Sequence, residues 1–379
     1  MPDTREIRTF LEPGHLALEG RATAFARETI ATRPESADDD AARRDARELL
    51  RLLGQGGWLK PIFDLDLRGC CLMREALGAA SPLADAVFAL QGLGTTPLLL
   101  RGSPAQKARW LDQIAAGEVM TAFAMTEPEA GSDVAAISTR ARRDGSGFVL
   151  DGRKTLISNA GIADLYAVFA STDPAAGPKG MSCFLVPADT PGLHFAGAQV
   201  LSAPHPLGEL RFESCRVPAE ALVGEEGRGY GIGLAALDRL RPTVAAAACG
   251  MAARALEESL AHVKRRQQFG KPLAEFQLVQ QKLARMATDL SAARLLVYRA
   301  AYEKDQGQER ITIEAAMAKA FATEMAQRAV DDAVQLIGGR GVLASHPVDR
   351  LYRAVRALRI YEGTTEIQQL IIAGELLKS

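Results

Sequence analysis

The sequence predicts an α+β protein, with a helical N-terminal part, a central all-β part and a C-terminal helical bundle. Three observations predict it. Apolar residues recur at helical spacing up to about residue 118. Short apolar or alternating runs separated by turn signals then take over. After Gly229 the helical period returns in long, Ala-rich segments. The expected divisions are 1–118, 119–227 and 228–379.

In the first part, Arg43 to Leu53 mixes charged and apolar residues at helical spacing, and Leu72–Leu77 and Leu83–Leu90 fit buried helical faces. Pro61 and the Gly92–Gly94 stretch are expected to punctuate these helices. Pro104 in a first turn with Ser103 before it predicts a capped helix over 104–115. In the central part, Phe148–Leu150, Leu165–Ala170, Ser182–Val186 and Leu210–Phe212 read as strands. Asp144-Gly145, Asp151-Gly152 and Pro191-Gly192 supply turns. In the last part, helices are expected over about 229–263, 274–304, 312–337 and 361–377, with small Ala side chains permitting close packing.

Composition excludes several function classes. Lys plus Arg number 45 and Asp plus Glu 46, a net charge of −1, so no basic field marks a general nucleic-acid binder. The opening MPDTREIRTF lacks the apolar core of a secretory signal, and no stretch reads as continuously apolar enough to span a bilayer. The expectation is a cytoplasmic chain without stable membrane insertion. Five cysteines without a CxxC pair, the adjacent Cys70-Cys71 included, read as small buried side chains. Five scattered histidines offer no metal-ligand spacing, and no metal is expected.

Two glycine-rich strings need sorting. Gly227-Arg-Gly-Tyr-Gly231 follows no βαβ pattern and reads as a boundary turn before a helix. Gly338-Gly-Arg-Gly341 follows a helix ending in Gln335-Leu-Ile337. Its glycines can simply end that helix, or can also let backbone N–H groups approach a phosphate.

The string Ala122-Phe-Ala-Met-Thr-Glu-Pro-Glu-Ala-Gly-Ser-Asp133 resembles the acyl-CoA dehydrogenase family. The resemblance continues through Asp151-Gly-Arg-Lys-Thr-Leu-Ile-Ser-Asn159, Phe212-Glu-Ser-Cys-Arg-Val-Pro218 and Leu222-Val-Gly-Glu-Glu-Gly-Arg-Gly229. It runs on through Asp238-Arg-Leu-Arg-Pro242, Arg266-Gln-Gln-Phe-Gly-Lys-Pro272, Gln335–Gly341 and Ile360-Tyr-Glu-Gly-Thr-Thr-Glu-Ile-Gln368. Order and spacing both fit, and the N-terminal third is the least family-specific.

The resemblance implies a three-part fold, with an N-terminal helical domain, a central β-barrel-like domain and a C-terminal four-helix bundle, and non-covalently bound FAD between the β domain and the bundle. It also implies oxidation of an acyl-CoA thioester to the trans-2-enoyl-CoA. Electron-transferring flavoprotein is the implied acceptor, and a homotetramer built as a dimer of dimers the implied assembly. Such chemistry needs a carboxylate base on one face of the Cα–Cβ bond and the flavin on the other. Glu362 matches the catalytic glutamate of short- and medium-chain members, with Tyr361 and Gly363 beside it on the substrate side. In the isovaleryl type the base sits at the position matching Leu240, which cannot take a proton.

By the same resemblance, Phe123, Met125 and Thr126 line the flavin ring, followed by Gly131 and Ser132. Leu156 and Ser158 contact the ring's face and edge. Arg266 and Phe269 hold the pyrophosphate and adenine from the neighbouring subunit, and Gln335 and Gly339 form the other intersubunit contact. Thr364 completes the flavin set. Ser132, Asp238 and Arg241 match positions near the CoA moiety, and the Glu362 amide is half of the implied oxyanion site.

The chain also departs from the family pattern. Leu156 replaces a tryptophan, Leu201–Gly208 replaces a Lys-x-Gly-x-Arg stretch, Gly374 replaces an arginine, and Ala354 breaks an Arg-Asp pair. These point to a specialised member. Ala89, Phe88 and Leu93 are expected at the floor of the acyl pocket, and Arg68 and Arg74 either meet a distal carboxylate or face solvent. The alternative readings are a flavin-dependent non-dehydrogenase, an oxidase or reductive or carrier-protein-linked variant, or a non-catalytic flavin- or CoA-binding protein.

Overall fold

The structure is a computed structural model that describes residues 4–378. Its helices α1 (Pro13–Phe25), α2 (Asp39–Gln55), α3 (Lys60–Phe63), α4 (Leu67–Ala80), α5 (Pro82–Arg101) and α6 (Pro104–Ala115) precede seven strands. These are β1 (Thr121–Ala124), β2 (Arg140–Asp144), β3 (Gly147–Ser158), β4 (Leu165–Ser171), β5 (Met181–Pro187), β6 (Leu193–Ala198) and β7 (Leu207–Pro218). Then follow α7 (Gly229–Arg265), a small hairpin of β8 (Gln267–Gln268) and β9 (Lys271–Pro272), α8 (Gln277–Asp305), α9 (Thr312–Ile337), α10 (Pro347–Leu358) and α11 (Thr365–Leu376). The described residues pack as two compact units. One holds those up to Pro34, Asp66–Asp85 and those from Asp238 onward; the other holds Glu35–Leu65 and Ala86–Leu237.

In the first unit the core is unusually rich in alanine. Val244 through Cys249 are fully buried, as are Ala315, Ala318, Ala322 and Ala326 of α9. Small side chains bring helix backbones together. A Cβ added at Gly250 would lie 2.1 Å from the Glu75 carbonyl oxygen, so α7 and α4 touch through their backbones there. One buried polar network crosses this core. Arg294 Nε donates to Glu75 Oε1 at 2.6 Å, Tyr298 Oη donates to Glu75 Oε2 at 2.8 Å, and Arg294 Nη1 donates to Glu6 at 2.9 Å.

The N-terminus of α4 is capped by acids. Asp66 accepts from Gly69 N, and Asp305 accepts from the backbone N–H groups of Leu67 and Arg68. Arg68 is buried and pairs with Asp305 and Glu12. His15, Asp66 and Asp305 bring ligand atoms within 4.8 Å of one another, a grouping that sequence spacing did not announce. These atoms are committed to helix capping and to the His15–Asp66 contact of 3.1 Å.

The second unit is built on a seven-stranded sheet of order β1-β4-β2-β3-β7-β6, with β5 on the other edge of β4. β4 is buried along its whole length, which is why Leu165–Ala170 reads as a continuous apolar run. β3 and β7 pair antiparallel, and their register slips between Leu150 and Gly152 and again between Lys154 and Ile157. The second irregularity falls beside Leu156, whose φ is +54°.

The helix over 104–115 starts as expected: Ser103 Oγ accepts from Gln106 N and Gln106 Oε1 accepts from Ser103 N. Gly92–Gly94 corrects the sequence reading. These residues interrupt nothing and lie inside α5. Gly94 is there for close approach: a Cβ on it would meet Thr121 Oγ1 at 2.6 Å and Ala122 N at 2.8 Å. Gly94→Ala should therefore lower stability by about 1–3 kcal/mol through overpacking. Gly92→Ala, whose Cβ would sit 3.5 Å from Ile62, should be tolerated. Thermal melts of the two variants check this, and matching melts would defeat the close-approach reading.

Two further corrections concern helices. α10 is an additional C-terminal helix, so among the described residues five helices rather than four follow the sheet, and the segment expected to be helical from 361 opens as a turn, with α11 starting at Thr365. Among the described residues, α5 is long and apolar enough to cross a membrane by length and composition, contrary to the sequence reading; 72% of its apolar window is buried inside the protein. All five cysteines are buried and unpaired.

Candidate active site

Glu362 sits on the turn between α10 and α11. Its φ is +55° and that of Gly363 is +93°, so two consecutive residues adopt the left-handed region. A non-glycine residue is strained there, and the surroundings hold it. Arg241 Nε donates to the Glu362 carbonyl at 3.4 Å and Gln368 Nε2 donates to it at 3.3 Å. Gln368 also donates to the Gly363 carbonyl at 3.0 Å, and the buried Lys319 Nζ donates to it at 2.7 Å. Thr364 caps α11 by accepting from Ile367 N. A side chain at 363 would collide with Gln368 Nε2, 2.5 Å from the added Cβ. Helices α7, α9 and α11 thus each fix the backbone of the turn.

The carboxylate itself is left unbonded: Glu362 Oε2 is buried and has no hydrogen-bond partner among the described residues. Burial pushes the Glu362 carboxyl above the usual carboxylate range, opposed by the positive charges of Arg74, Lys319 and Arg241. Burial also pulls Lys319 down to about 8. A poorly solvated carboxylate with a free oxygen is equipped to accept a proton. Arg241 is anchored behind it by Asp238 at 3.4 Å, and Thr312 Oγ1 donates to the other Asp238 oxygen at 3.2 Å.

A second group of candidate residues gathers in the sheet unit. Lys154 is completely buried and donates to the Met125 carbonyl at 2.9 Å and to Glu127 Oε1 at 2.8 Å. Glu127 in turn accepts from the N–H groups of Ser138 and Thr139 and from Ser138 Oγ. Thr155 N donates to the Thr126 carbonyl at 3.0 Å. These bonds set Phe123, Met125 and Thr126 beside the Lys154–Ser158 stretch. Phe123 packs on Phe169 with ring centroids 4.7 Å apart. Leu156 is 55% exposed, and its N–H donates to Gln199 Oε1 at 2.8 Å. Ser158 Oγ lies 2.9 Å from His205 Nε2, and burial pulls His205 down to about 4, so its ring is neutral at pH 7. Gly131 and Ser132 are exposed just past a tight turn in which Glu127 and Ala130 exchange backbone hydrogen bonds.

The remaining candidates lie on the Glu362 unit as two surface groups. Arg266 and Phe269 belong to the β8–β9 hairpin, where Phe269 has φ +50° and is 93% exposed. Gln335 and Gly339 are exposed at the end of α9. Near the hairpin, burial and the charges of Arg265, Arg266, His346 and Arg340 push His262 below its ordinary value. That is a cationic corner, of the kind a diphosphate group prefers.

Three family models cover nearly the whole chain: acyl-CoA dehydrogenase N-terminal domain over residues 12–118, middle domain over 122–215 and C-terminal domain over 227–377. The chain belongs to the acyl-CoA dehydrogenase family. It is similar to the 3-(aryl)acrylate reductase of Clostridium sporogenes, at 38% identity over 97% of this chain and 100% of that one. It is also similar to a solved structure described as electron transferring flavoprotein of Acidaminococcus fermentans, with TM-score 0.92, 34% identity and coverage of 97% and 99%. The butyryl-CoA dehydrogenase structure from Megasphaera elsdenii matches with TM-score 0.91, 33% identity and the same coverage.

As a member of the acyl-CoA dehydrogenase family, the protein is an FAD-dependent oxidoreductase. On the Glu362 unit, Arg266 and Arg340 are among the cations near His262, a Cβ at Gly339 would meet no atom within 4 Å, and the Phe269 ring is uncovered, chemistry that suits an anionic, aromatic cofactor.

For this acyl-CoA dehydrogenase the structure brings Asp238, Arg241, Tyr361, Glu362, Gly363 and Thr364 into one cluster, and Phe123, Met125, Thr126, Leu156 and Ser158 into another. Sequence reasoning missed Lys319 and Gln368, which hold the strained turn, Lys154 and Glu127, which hold the Met125–Thr126 backbone, and His205. It also left Arg68 and Arg74 between solvent and a distal carboxylate. Both are buried in ion pairs within the fold. The one available signal was charged residues inside apolar runs, as in Leu72-Met-Arg-Glu-Ala-Leu77.

Proposed function

We propose that this acyl-CoA dehydrogenase oxidises the Cα–Cβ bond of an acyl-CoA thioester, with Glu362 removing the α-proton. The observation that carries this reading is the buried, unbonded Glu362 Oε2 on a turn held rigid from three helices. Rigid placement supplies the orientation that proton abstraction from a weakly acidic carbon requires. The Glu362 amide is the donor we assign to the thioester oxygen, and Asp238 and Arg241 the residues we assign to the CoA side. Bound FAD supplies the two-electron acceptor. Phe123, Met125, Thr126, Gly131, Ser132, Leu156, Ser158 and Thr364 are assigned to its ring and ribityl portion. Arg266, Phe269, Gln335 and Gly339 are assigned to its phosphates and adenine, across a subunit boundary.

A homotetramer and an onward electron-transferring flavoprotein belong to the same proposal. The exposed Phe269, Leu278 and Leu370 are apolar surface that assembly would cover.

The test is anaerobic addition of a panel of CoA thioesters (short linear, branched, cyclic and aryl-substituted) to the flavin-replete enzyme. One class should bleach the flavin absorbance. No bleaching by any member, in protein that dithionite still reduces, would sink the reading.

A further inference from the structure

We propose that His205 is a positioning residue for Ser158: carried between two prolines on an anchored loop, its imidazole bonds the Ser158 hydroxyl and fixes the side that this hydroxyl turns to the bound flavin. The proposal rests on the reading that assigns Ser158 to the flavin, and it adds a residue from the 201–208 stretch, where the family-specific string is replaced.

Ser158 closes β3, at the rung where β3 and β7 pair Ser158 with Leu207. His205 stands two residues before Leu207, and its Nε2 lies 2.9 Å from Ser158 Oγ. The chain that carries His205 is fastened from three sides. Asn159 N donates to the Pro206 carbonyl at 2.9 Å, and Gln199 N donates to the Leu207 carbonyl at 3.0 Å. Arg43 Nη2 of α2 donates to the same Leu207 carbonyl at 2.6 Å, while Arg43 is itself held by Asp39 at 2.6 Å and by the Ala160 carbonyl at 2.7 Å. Pro204 and Pro206 fix φ on either side of His205, and a residue before proline is confined to extended conformations. The imidazole thus reaches Ser158 from a backbone with little freedom.

The same loop grips the neighbouring residues of β3. Gln199 Oε1 accepts from Leu156 N at 2.8 Å, and Gln199 Nε2 donates to Thr155 Oγ1 at 2.8 Å. Thr155, Leu156, Ser158 and Asn159 are each bonded to the segment between Gln199 and Pro206.

A residue that only filled space here would need no nitrogen, since Ser158 and His205 are both half-buried and water can satisfy a hydroxyl at such a place. What a histidine adds is direction. The ring is neutral at pH 7 because burial disfavours its charged form, and the charges acting on it, Asp39 and Arg43, are of opposite sign. A neutral imidazole holds one N–H and one lone pair and can offer either at Nε2. The Ser158 hydroxyl therefore stays bonded to His205 whether its outward side donates to a ring acceptor of the flavin or accepts from a ring N–H. A carbonyl, which only accepts, or an arginine, which only donates, would allow one of those arrangements alone.

The test reads the flavin rather than turnover. Flavin-replete wild type, Ser158→Ala, His205→Leu and the double variant are each equilibrated anaerobically with a reference redox dye. The ratio of reduced to oxidised flavin at a fixed dye ratio gives each reduction equilibrium. Ser158→Ala should shift it by roughly 2- to 10-fold, the worth of one hydrogen bond. His205→Leu should shift it in the same direction by a comparable or smaller factor. Adding His205→Leu to Ser158→Ala should then change little, because the histidine acts through the hydroxyl. His205→Gln, whose amide also offers a donor and an acceptor, should recover much of the wild-type equilibrium. A wild-type equilibrium in His205→Leu would overturn the proposal, as would a His205→Leu shift that persists in full without the Ser158 hydroxyl, which would leave His205 a packing element of the loop. If His205→Leu does not fold or hold flavin, His205→Asn, too short to reach Ser158, takes its place with the same expectation. No shift in Ser158→Ala would instead defeat the assignment of Ser158 to the flavin, and the proposal with it. The thioester panel reports separately on the dehydrogenase reading, since no thioester enters the dye equilibrium.

Discussion

Glu362→Gln loses flavin reduction by CoA thioesters while keeping its flavin and its fold. An amide accepts a proton poorly, and general base catalysis contributes roughly 10^2- to 10^4-fold, so the reduction rate in anaerobic stopped flow should fall by about that factor. The loss belongs in the chemical step, so kcat should fall and substrate binding change little. The stability effect runs the other way. Burial raises the carboxyl in the folded protein above its unfolded value of about 4.3. Between those two values the folded state binds more protons than the unfolded state, so stability declines as pH rises through that window and the ionised base is a cost at neutral pH. Glutamine removes that cost. The variant's Tm at pH 7 should equal or exceed the wild type's, and should lack its fall with pH above the ordinary glutamate range. A variant that melts lower and sheds flavin would show Glu362 to be a structural residue.

Lys154→Met destabilises the sheet unit by about 3–5 kcal/mol, because it leaves the carboxylate of Glu127 buried without its cation. Burial would raise Glu127, but Lys154 and the hydrogen bonds from Thr139 and Ser138 bring it down to about 2. Burial lowers Lys154 to about 8 against the pull of Glu127, so both partners are charged at pH 7. With its folded value depressed, Glu127 contributes stability that is present above about 4.3 and lost as pH falls toward about 2. Acid melts of the wild type should show that decline. The methionine variant should lose it, since its carboxyl no longer has a depressed value to titrate. Adding Glu127→Gln should recover part of the stability. The Met125 carbonyl also loses its donor, so the single variant should retain less FAD, read from the flavin-to-protein absorbance ratio. Unchanged melts and full flavin in Lys154→Met would defeat the account.

These two cases show how far the sequence was legible. The acyl-CoA dehydrogenase motifs marked Glu362, and the structure adds how its awkward backbone position is held: Gly363 has no room for a Cβ, and Lys319, Gln368 and Arg241 pin the turn. Lys154 and Glu127 lie inside recognised motifs, but nothing in the string says that they bond to each other across 27 positions of chain. Ser158 was legible as a hydroxyl; its partner His205 sits in the loop where the family pattern fails, so no motif pointed to it. Gly92–Gly94 misled because glycine carries two meanings, turn and close contact, and only a neighbour such as Thr121 tells them apart. α10 was missed between the Gly338–Gly341 turn and the Glu362 turn, although its Pro347 start and amphipathic pattern suit a helix.

By itself the sequence determined the periodic features: the helical parts, the strand runs, the capped start of α6, and the family-specific strings with their glutamate. Those depend on residues close along the chain, where side-chain period and local hydrogen bonds decide the outcome. Only the tertiary structure decided what each buried charge faces. Arg74 meets Asp85 and Thr243, Arg294 meets Glu75 and Glu6, and Lys154 meets Glu127, each across a stretch of chain that the period cannot encode. An arginine reads the same in a string whether water or a carboxylate receives it. In a folded core the cost of burying an unpaired charge makes that choice, and it is a cost that exists only once the chain is packed.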